Sequence, residues 1–259
     1  MTFAGIFLTS ITIILVLCIV LLHPFVKKVT GRYIFWLIYS LCNTALVFTF
    51  RFIPDILNYA DAVKSGLSSG DGIWISKAFL LDFCPFTAVM ISVLPIFDYK
   101  RKVSQIIAPF AFFGGLITIL FEILLDPNAS MTFEYIFKGI FPNRAYFLIH
   151  FINTITGILL LMNSKKANWK TFMFCNIFAI CYYLYIFIVV KISNGLVTDH
   201  TSGLLPDDWK GGEYWRVSDI LHLDYPWCMV VALSISYGFI TLFLFTPRLL
   251  QKCQYWKEN

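Results

Sequence analysis

The stretch WISKAFLLDFCPFTAVMISVLPIF, Trp74–Phe97, decides the fold. It is apolar over the roughly 20 residues that an α-helix needs to cross a hydrocarbon core. Yet Asp82 lies well inside it, with Cys84 two residues on. A charged residue at the centre of a membrane helix costs about 2.5–3.5 kcal/mol on insertion scales, so such residues are functional candidates. Pro85 follows directly; it removes a backbone donor, crowds the Leu81 carbonyl and biases Cys84 away from helical geometry. A break there predicts that Asp82 and Cys84 turn toward one cavity, where irregular backbone is tolerated at membrane depth. Pro95 only kinks the same helix.

Six similar stretches flank this one, near Phe3–Leu22, Tyr33–Ile53, Ile106–Leu125, Ala145–Met162, Thr171–Ile192 and Pro226–Thr246. With 59% hydrophobic and only 14% charged residues the chain is not a water-soluble domain, where about 25% charged residues are usual. Leu21-Leu22-His23-Pro24 is a poor cleavage site and no basic region precedes the first span, which reads as a retained helix. The seven cysteines lie mostly inside spans without metal or disulfide-framework spacing. No metal site or cofactor is expected.

A net charge of +5 raises nucleic acid as a partner, but its distribution excludes it. Lys27, Lys28, Arg32, Lys100, Arg101, Lys102, Lys165, Lys166 and Lys170 fall in alternate loops, beside Asp98 as the acid. The opposite side carries Asp55, Asp61, Asp71, Asp126, Glu134, Asp199, Asp207, Asp208 and others, with Arg51, Lys64 and Lys77 among its bases. Short loops rich in Lys and Arg stay cytoplasmic. The expected fold is therefore all-α: a polytopic protein of the cell membrane with seven transmembrane helices, N-terminus outside, C-terminus cytoplasmic. Residues 1–259 form one integral domain, with external loops near 54–73, 126–144 and 193–225. The last, long and rich in aromatic residues, is expected to fold as a lid or flap.

This topology sets Asp82, Glu122 and His150 at a similar depth in the outer third of the bilayer, at 1.5 Å of rise per residue. His150, Asn153, Thr154 and Gly157 share one face of the fifth span, and Gly115, Thr118 and Glu122 one face of the fourth. Small and polar stripes of this kind face other helices or a wet cavity. A thiol is a weak nucleophile at its free pKa of about 8.5. An imidazole beside it offsets that weakness, so His150 is a candidate base for Cys84, with Asp82 or Glu122 orienting the ring. Packing, or a disulfide from Cys84 to Cys228, is the plainer alternative. His200 and His222 read as loop residues.

From Trp74 to Thr246 the order of motifs resembles the YwaF-type bacterial membrane proteins. That broad family also includes the animal transmembrane acyltransferase of ether phospholipids. The likeness rests on Leu81-Asp82-Phe83-Cys84, Lys100-Arg101-Lys102, Gly114-Gly115 leading to Glu122, Phe141-Pro142-Asn143-Arg144 before His150, Asn194-Gly195 and Tyr225-Pro226-Trp227. It implies catalysis by Cys84 and His150 and a phospholipid or lysophospholipid as substrate; Asp82, Glu122, Asn153 and Asn194 are the candidate supporting or binding residues. The chain departs from that pattern with Asp82 in place of histidine, Glu122 in place of glutamine and Phe151 in place of glycine. The competing class is a non-enzymatic receptor, transporter or transport accessory in which Asp82 and Glu122 form an acidic external site.

Overall fold

The computed structural model describes residues 2–124, 146–163, 167–210 and 214–250. Among them every regular element is helical. In chain order these are α1 (Phe3–Leu21), α2 (His23–Thr30), α3 (Tyr33–Val47), α4 (Ile53–Ser65), α5 (Gly72–Ala78), α6 (Phe83–Phe97) and α7 (Lys102–Thr118), then α8 (Tyr146–Asn163), α9 (Trp169–Ile192), α10 (Asp207–Lys210), α11 (Trp215–Leu221) and α12 (Trp227–Leu250). Six helical runs among the described residues are long and apolar enough to cross a membrane, and the further apolar helix Phe147–Asn163 is shorter.

Local chemistry sets the helix starts. Thr2 accepts from the Gly5 amide at 3.0 Å to cap α1. Asn168 accepts from the Thr171 amide at 3.0 Å to cap α9. The Asp98 carboxylate accepts from the amides of Lys102, Val103 and Ser104 to open α7. Each satisfies amides that the first helical turn leaves without partners.

Two spans differ from expectation. The second does not end at Ile53: helix continues from Tyr33 to Ser65, passing through a wide π turn at Phe48–Phe52. Pro54 fails to stop it because it falls in the first turn after that π segment, where the Ile53 amide has already shifted its bond to the Phe48 carbonyl. Most of the loop expected near 54–73 is thus helix. The third span is interrupted, but before Asp82 and not at Pro85. Pro85 occupies the first turn of α6, where an absent amide costs nothing. The expected loop near 126–144 lies outside the described residues.

At the centre stands α8, buried on nearly all sides, with α7, α6, α3 and α1 around it. Small residues set the closest approach. A side chain at Gly157 would meet the Phe112 backbone within 2.8 Å, and one at Gly115 would meet the His150 carbonyl at 2.5 Å. The stripe read from sequence is therefore a backbone-to-backbone seam between α7 and α8. Polar links cross the bundle too: Tyr39 shares a 2.9 Å hydrogen bond with Thr156, and Thr44 donates to the Ser92 carbonyl at 3.0 Å.

Overpacking a well-filled seam costs about 1–3 kcal/mol. Gly115→Val should therefore lower the midpoint of thermal unfolding in detergent. Gly238→Ala, where nothing lies within 4 Å of an added carbon, should leave it unchanged or raise it. Equal midpoints for Gly115→Val and the parent would contradict the seam.

Candidate functional site

The interruption between α5 and α6 makes the site. The Leu81 amide bonds to the Ser76 carbonyl at 2.8 Å and the Leu80 amide to the Lys77 carbonyl at 3.2 Å. This pair of bonds is the Schellman ending, with Leu80 in the left-handed conformation at φ 55°. That position suits glycine, and a leucine there costs on the order of 1–2 kcal/mol. Asp82 then runs extended and opens α6.

Interrupting a helix in apolar surroundings frees carbonyls that must find donors. Three tertiary hydroxyls supply them. Tyr185 donates to the Phe79 carbonyl at 2.6 Å, Tyr182 to those of Leu80 and Leu81 at 3.2 and 2.8 Å, and Ser202 to that of Leu81 at 2.6 Å.

Asp82 begins a helix without capping it through its side chain. Its carboxylate instead meets Lys77 Nζ at 3.0 Å, and His200 Nδ1 stands 3.6 Å away. The Lys77 and Asp82 side chains are 10% and 4% exposed. A second buried pair, Arg51 Nε to Asp55 Oδ2 at 3.0 Å, projects from the π turn and the first turn of α4. Asp55 lies within electrostatic range of Lys77 and Asp82, and buried His150 within range of Arg51 and Asp82. Among the described residues, two cations and two carboxylates balance around two imidazoles. Asp82 is thus balanced by cations, while Glu122, its expected partner in an acidic external site, has its side chain outside the described residues.

His200 arrives on a compact turn. His200, Ser202 and Gly203 all have positive φ, at 56°, 55° and 81°. Asp208 folds this turn around its carboxylate, which accepts from the amides of Thr201, Gly203 and Leu205 and from the Thr201 hydroxyl. Burial still pushes the Asp208 carboxyl above its ordinary range, opposed by the bonds from Thr201. Trp209 closes the turn by donating to the Gly203 carbonyl at 2.9 Å. The turn docks on α5, where Ser76 donates to the Asp199 carbonyl at 3.1 Å. A carbon added at Gly72 would collide with the Leu196 carbonyl. The described part of 193–225 is thus folded.

Of the residues singled out in the sequence, Cys84 and His150 lie on α6 and α8. Asn153 Nδ2 donates to the Cys84 carbonyl at 2.9 Å, which ties the His150 helix to the start of α6. The Cys84 sulfur packs 3.3 Å from where a carbon on Gly114 would sit, and no disulfide joins Cys84 to Cys228. Asp82 is engaged by Lys77 and His200. Glu122 falls on the π turn Ile119–Leu124, and its side chain lies outside the described residues. Asn194 is exposed at the left-handed turn that ends α9, at φ 51°, and takes no part in the cluster.

From sequence, Arg51, Asp55 and Lys77 were counted among the charges of the external side and His200 was placed in an external loop. The first two carried a usable signal, the i, i+4 spacing of an ion pair on one helix face. Lys77, five residues before Asp82, is reachable only because the helix breaks between them. His200 carried no signal. Among the described residues no group of three or more His, Cys, Asp or Glu side chains is disposed to hold a metal ion.

This arrangement holds a carboxylate between an ammonium and an imidazole, a trio that can bind a proton and pass it along. No solved structure matches the chain significantly. "Uncharacterized protein MG135" of Mycoplasma genitalium is 30% identical over 237 residues, 88% of this chain and 82% of the relative. "Uncharacterized protein MG135 homolog" of Mycoplasma pneumoniae is 29% identical over 235 residues, with the same coverage. A family profile described as a family of unknown function, DUF5378, matches residues 10–257; over nearly its whole length, then, the chain that builds this ionic cluster belongs to that family.

Proposed function

We propose that this chain is a multi-pass protein of the cell membrane, with seven transmembrane helices, N-terminus outside and C-terminus cytoplasmic. We assign it to proton-linked transport, as a transporter or a transport accessory. One observation carries this reading: Asp82 sits at a helix interruption inside an apolar bundle, its carboxylate 3.0 Å from Lys77 and 3.6 Å from His200. Discontinuous helices at membrane depth are where secondary transporters build substrate and coupling-ion sites. The proton is the ligand that suits a set of charges already balanced. Nδ1 at 3.6 Å is just beyond a formed hydrogen bond, so a small closure makes or breaks the link between His200 and Asp82.

The topology is tested by labelling each terminus in intact cells. An accessible N-terminus and a protected C-terminus are expected, and both termini on one face would refute it. Proton movement is tested in vesicles holding a pH-sensitive dye under an imposed gradient. The parent should dissipate the gradient faster than empty vesicles, Asp82→Asn should not, and Cys84→Ala should behave as the parent. Removing one partner of a buried pair costs about 3–5 kcal/mol, whereas replacing both by apolar residues is often neutral. The double variant Lys77→Met/Asp82→Leu should therefore keep the parent's thermal midpoint and still lose proton movement. Parent-like flux in this stable variant would sink the proposal.

A second reading, the lipid acyltransferase implied by the YwaF resemblance, is favoured by the bond from Asn153 to the Cys84 carbonyl. An acyl group would leave a phospholipid for the Cys84 sulfur as a thioester, then pass to a lysophospholipid. His150 would take the thiol proton, give it to the departing lysolipid oxygen, and reverse these roles in the second step. Cys84→Ala and His150→Ala should each abolish transfer of a labelled acyl chain in vesicles containing both lipids. Undiminished transfer in both variants would eliminate this chemistry.

A further inference from the structure

The opposite end of the bundle carries a second constructed surface. The short helix α2 is fastened to the end of α8: His23 Nε2–H donates to the Met162 carbonyl at 3.1 Å and Thr30 Oγ1 to Asn163 Oδ1 at 3.0 Å. Burial pulls the His23 imidazole below its ordinary pKa, opposed by the bond to the Met162 carbonyl. The Thr30 carbonyl then accepts from Trp36 Nε1 at 2.6 Å and from Arg101 Nη1 at 3.3 Å. The Arg101 guanidinium also lies 5.8 Å above the Trp36 ring. These bonds lock the turn between α6 and α7 beside α2.

Two cation–apolar sets face outward from this frame. On α2, Lys27 and Lys28 are exposed beside Phe25; on the turn, Lys100 and Lys102 are exposed beside Phe97. Phe25 is 68% and Phe97 79% exposed. Among the described residues none of the four lysines is paired with a carboxylate. Asp98, between the rings and the lysines, spends its carboxylate on the amides that open α7 and on the Ser104 hydroxyl.

Exposed apolar rings beside ammonium groups that no described carboxylate pairs, with Lys28 lying 5.7 Å over the Phe25 ring, match the acyl–headgroup boundary, where the ring enters the acyl region and the cation stays with phosphate. We propose that α2 and the α6–α7 turn form a preformed docking surface for anionic phospholipid headgroups of the leaflet at this end of the bundle. It rests on the membrane-spanning reading above but not on the proton-linked site. Because the frame is hydrogen-bonded before any lipid arrives, little ordering is needed on binding.

The test uses the full chain purified in a neutral detergent, with phosphatidylglycerol, phosphatidylcholine or inorganic phosphate added at matched concentration. Phosphatidylglycerol should raise the thermal midpoint and remain bound in native mass spectrometry, with affinity falling as salt rises. Each lysine replaced by glutamine among Lys27, Lys28, Lys100 and Lys102 should weaken that binding about fivefold. Lys64→Gln, at the other end of the bundle, should leave it unchanged. Equal stabilisation by phosphatidylcholine or by inorganic phosphate would overturn the proposal, as would full binding by the fourfold variant. Recovery of the chain in the soluble fraction after alkaline washing of membranes would instead refute the membrane reading itself.

Discussion

A helix can be interrupted within an apolar bundle only if the carbonyls it frees find donors, and the architecture around Asp82 follows from that constraint. Phe79, Leu80 and Leu81 lose their helical partners at the break, and Tyr182, Tyr185 and Ser202 replace them. Each of those hydroxyls comes from an element distant in sequence. Satisfying the backbone therefore pins α9 and the 199–204 turn against α5. The pinned turn sets His200 beside the Asp82 carboxylate, so backbone accounting and site geometry are one problem with one solution.

The electrostatics obey the same economy. An isolated charge buried among apolar residues is expensive, and its attraction to a partner offsets the loss of water only when the geometry is good. Lys77 meets Asp82 and Arg51 meets Asp55, each at 3.0 Å, so no described charge at the cluster stands alone. Such pairs add little net stability but penalise any rearrangement that separates them. The seam between α7 and α8 contributes rigidity from the other side. Gly115 and Gly157 let the two backbones touch, which holds His150 and Asn153 at a fixed height against the start of α6.

Much of this was legible in the chain. The apolar stretches gave α1, α8, α9 and α12 to within a few residues, because a long apolar run has no other way to satisfy its backbone in apolar surroundings. The polar stripe of α8 was legible from spacing. The position of the break was not. Pro85 drew attention to the right segment, but a proline is tolerated in a first turn, and the actual ending rests on a leucine in a left-handed conformation that no propensity favours. The pairing of Arg51, Asp55 and Lys77 was missed because charge counting near span ends treats every ion as facing water. Their partners cancel them internally. His200 was hidden for a different reason: its position depends on the turn that Asp208 folds around itself.

Sequence alone determined that this chain is helical, that its helices suit a membrane, and that Asp82, Cys84 and His150 are polar groups at comparable positions along their helices. Those properties depend on composition and on a rise per residue that varies little among helices. Tertiary structure alone decided which groups meet. Asp82 joined Lys77 and His200 because hydroxyls from α9 and the 199–204 turn answered carbonyls whose need for donors no local pattern records.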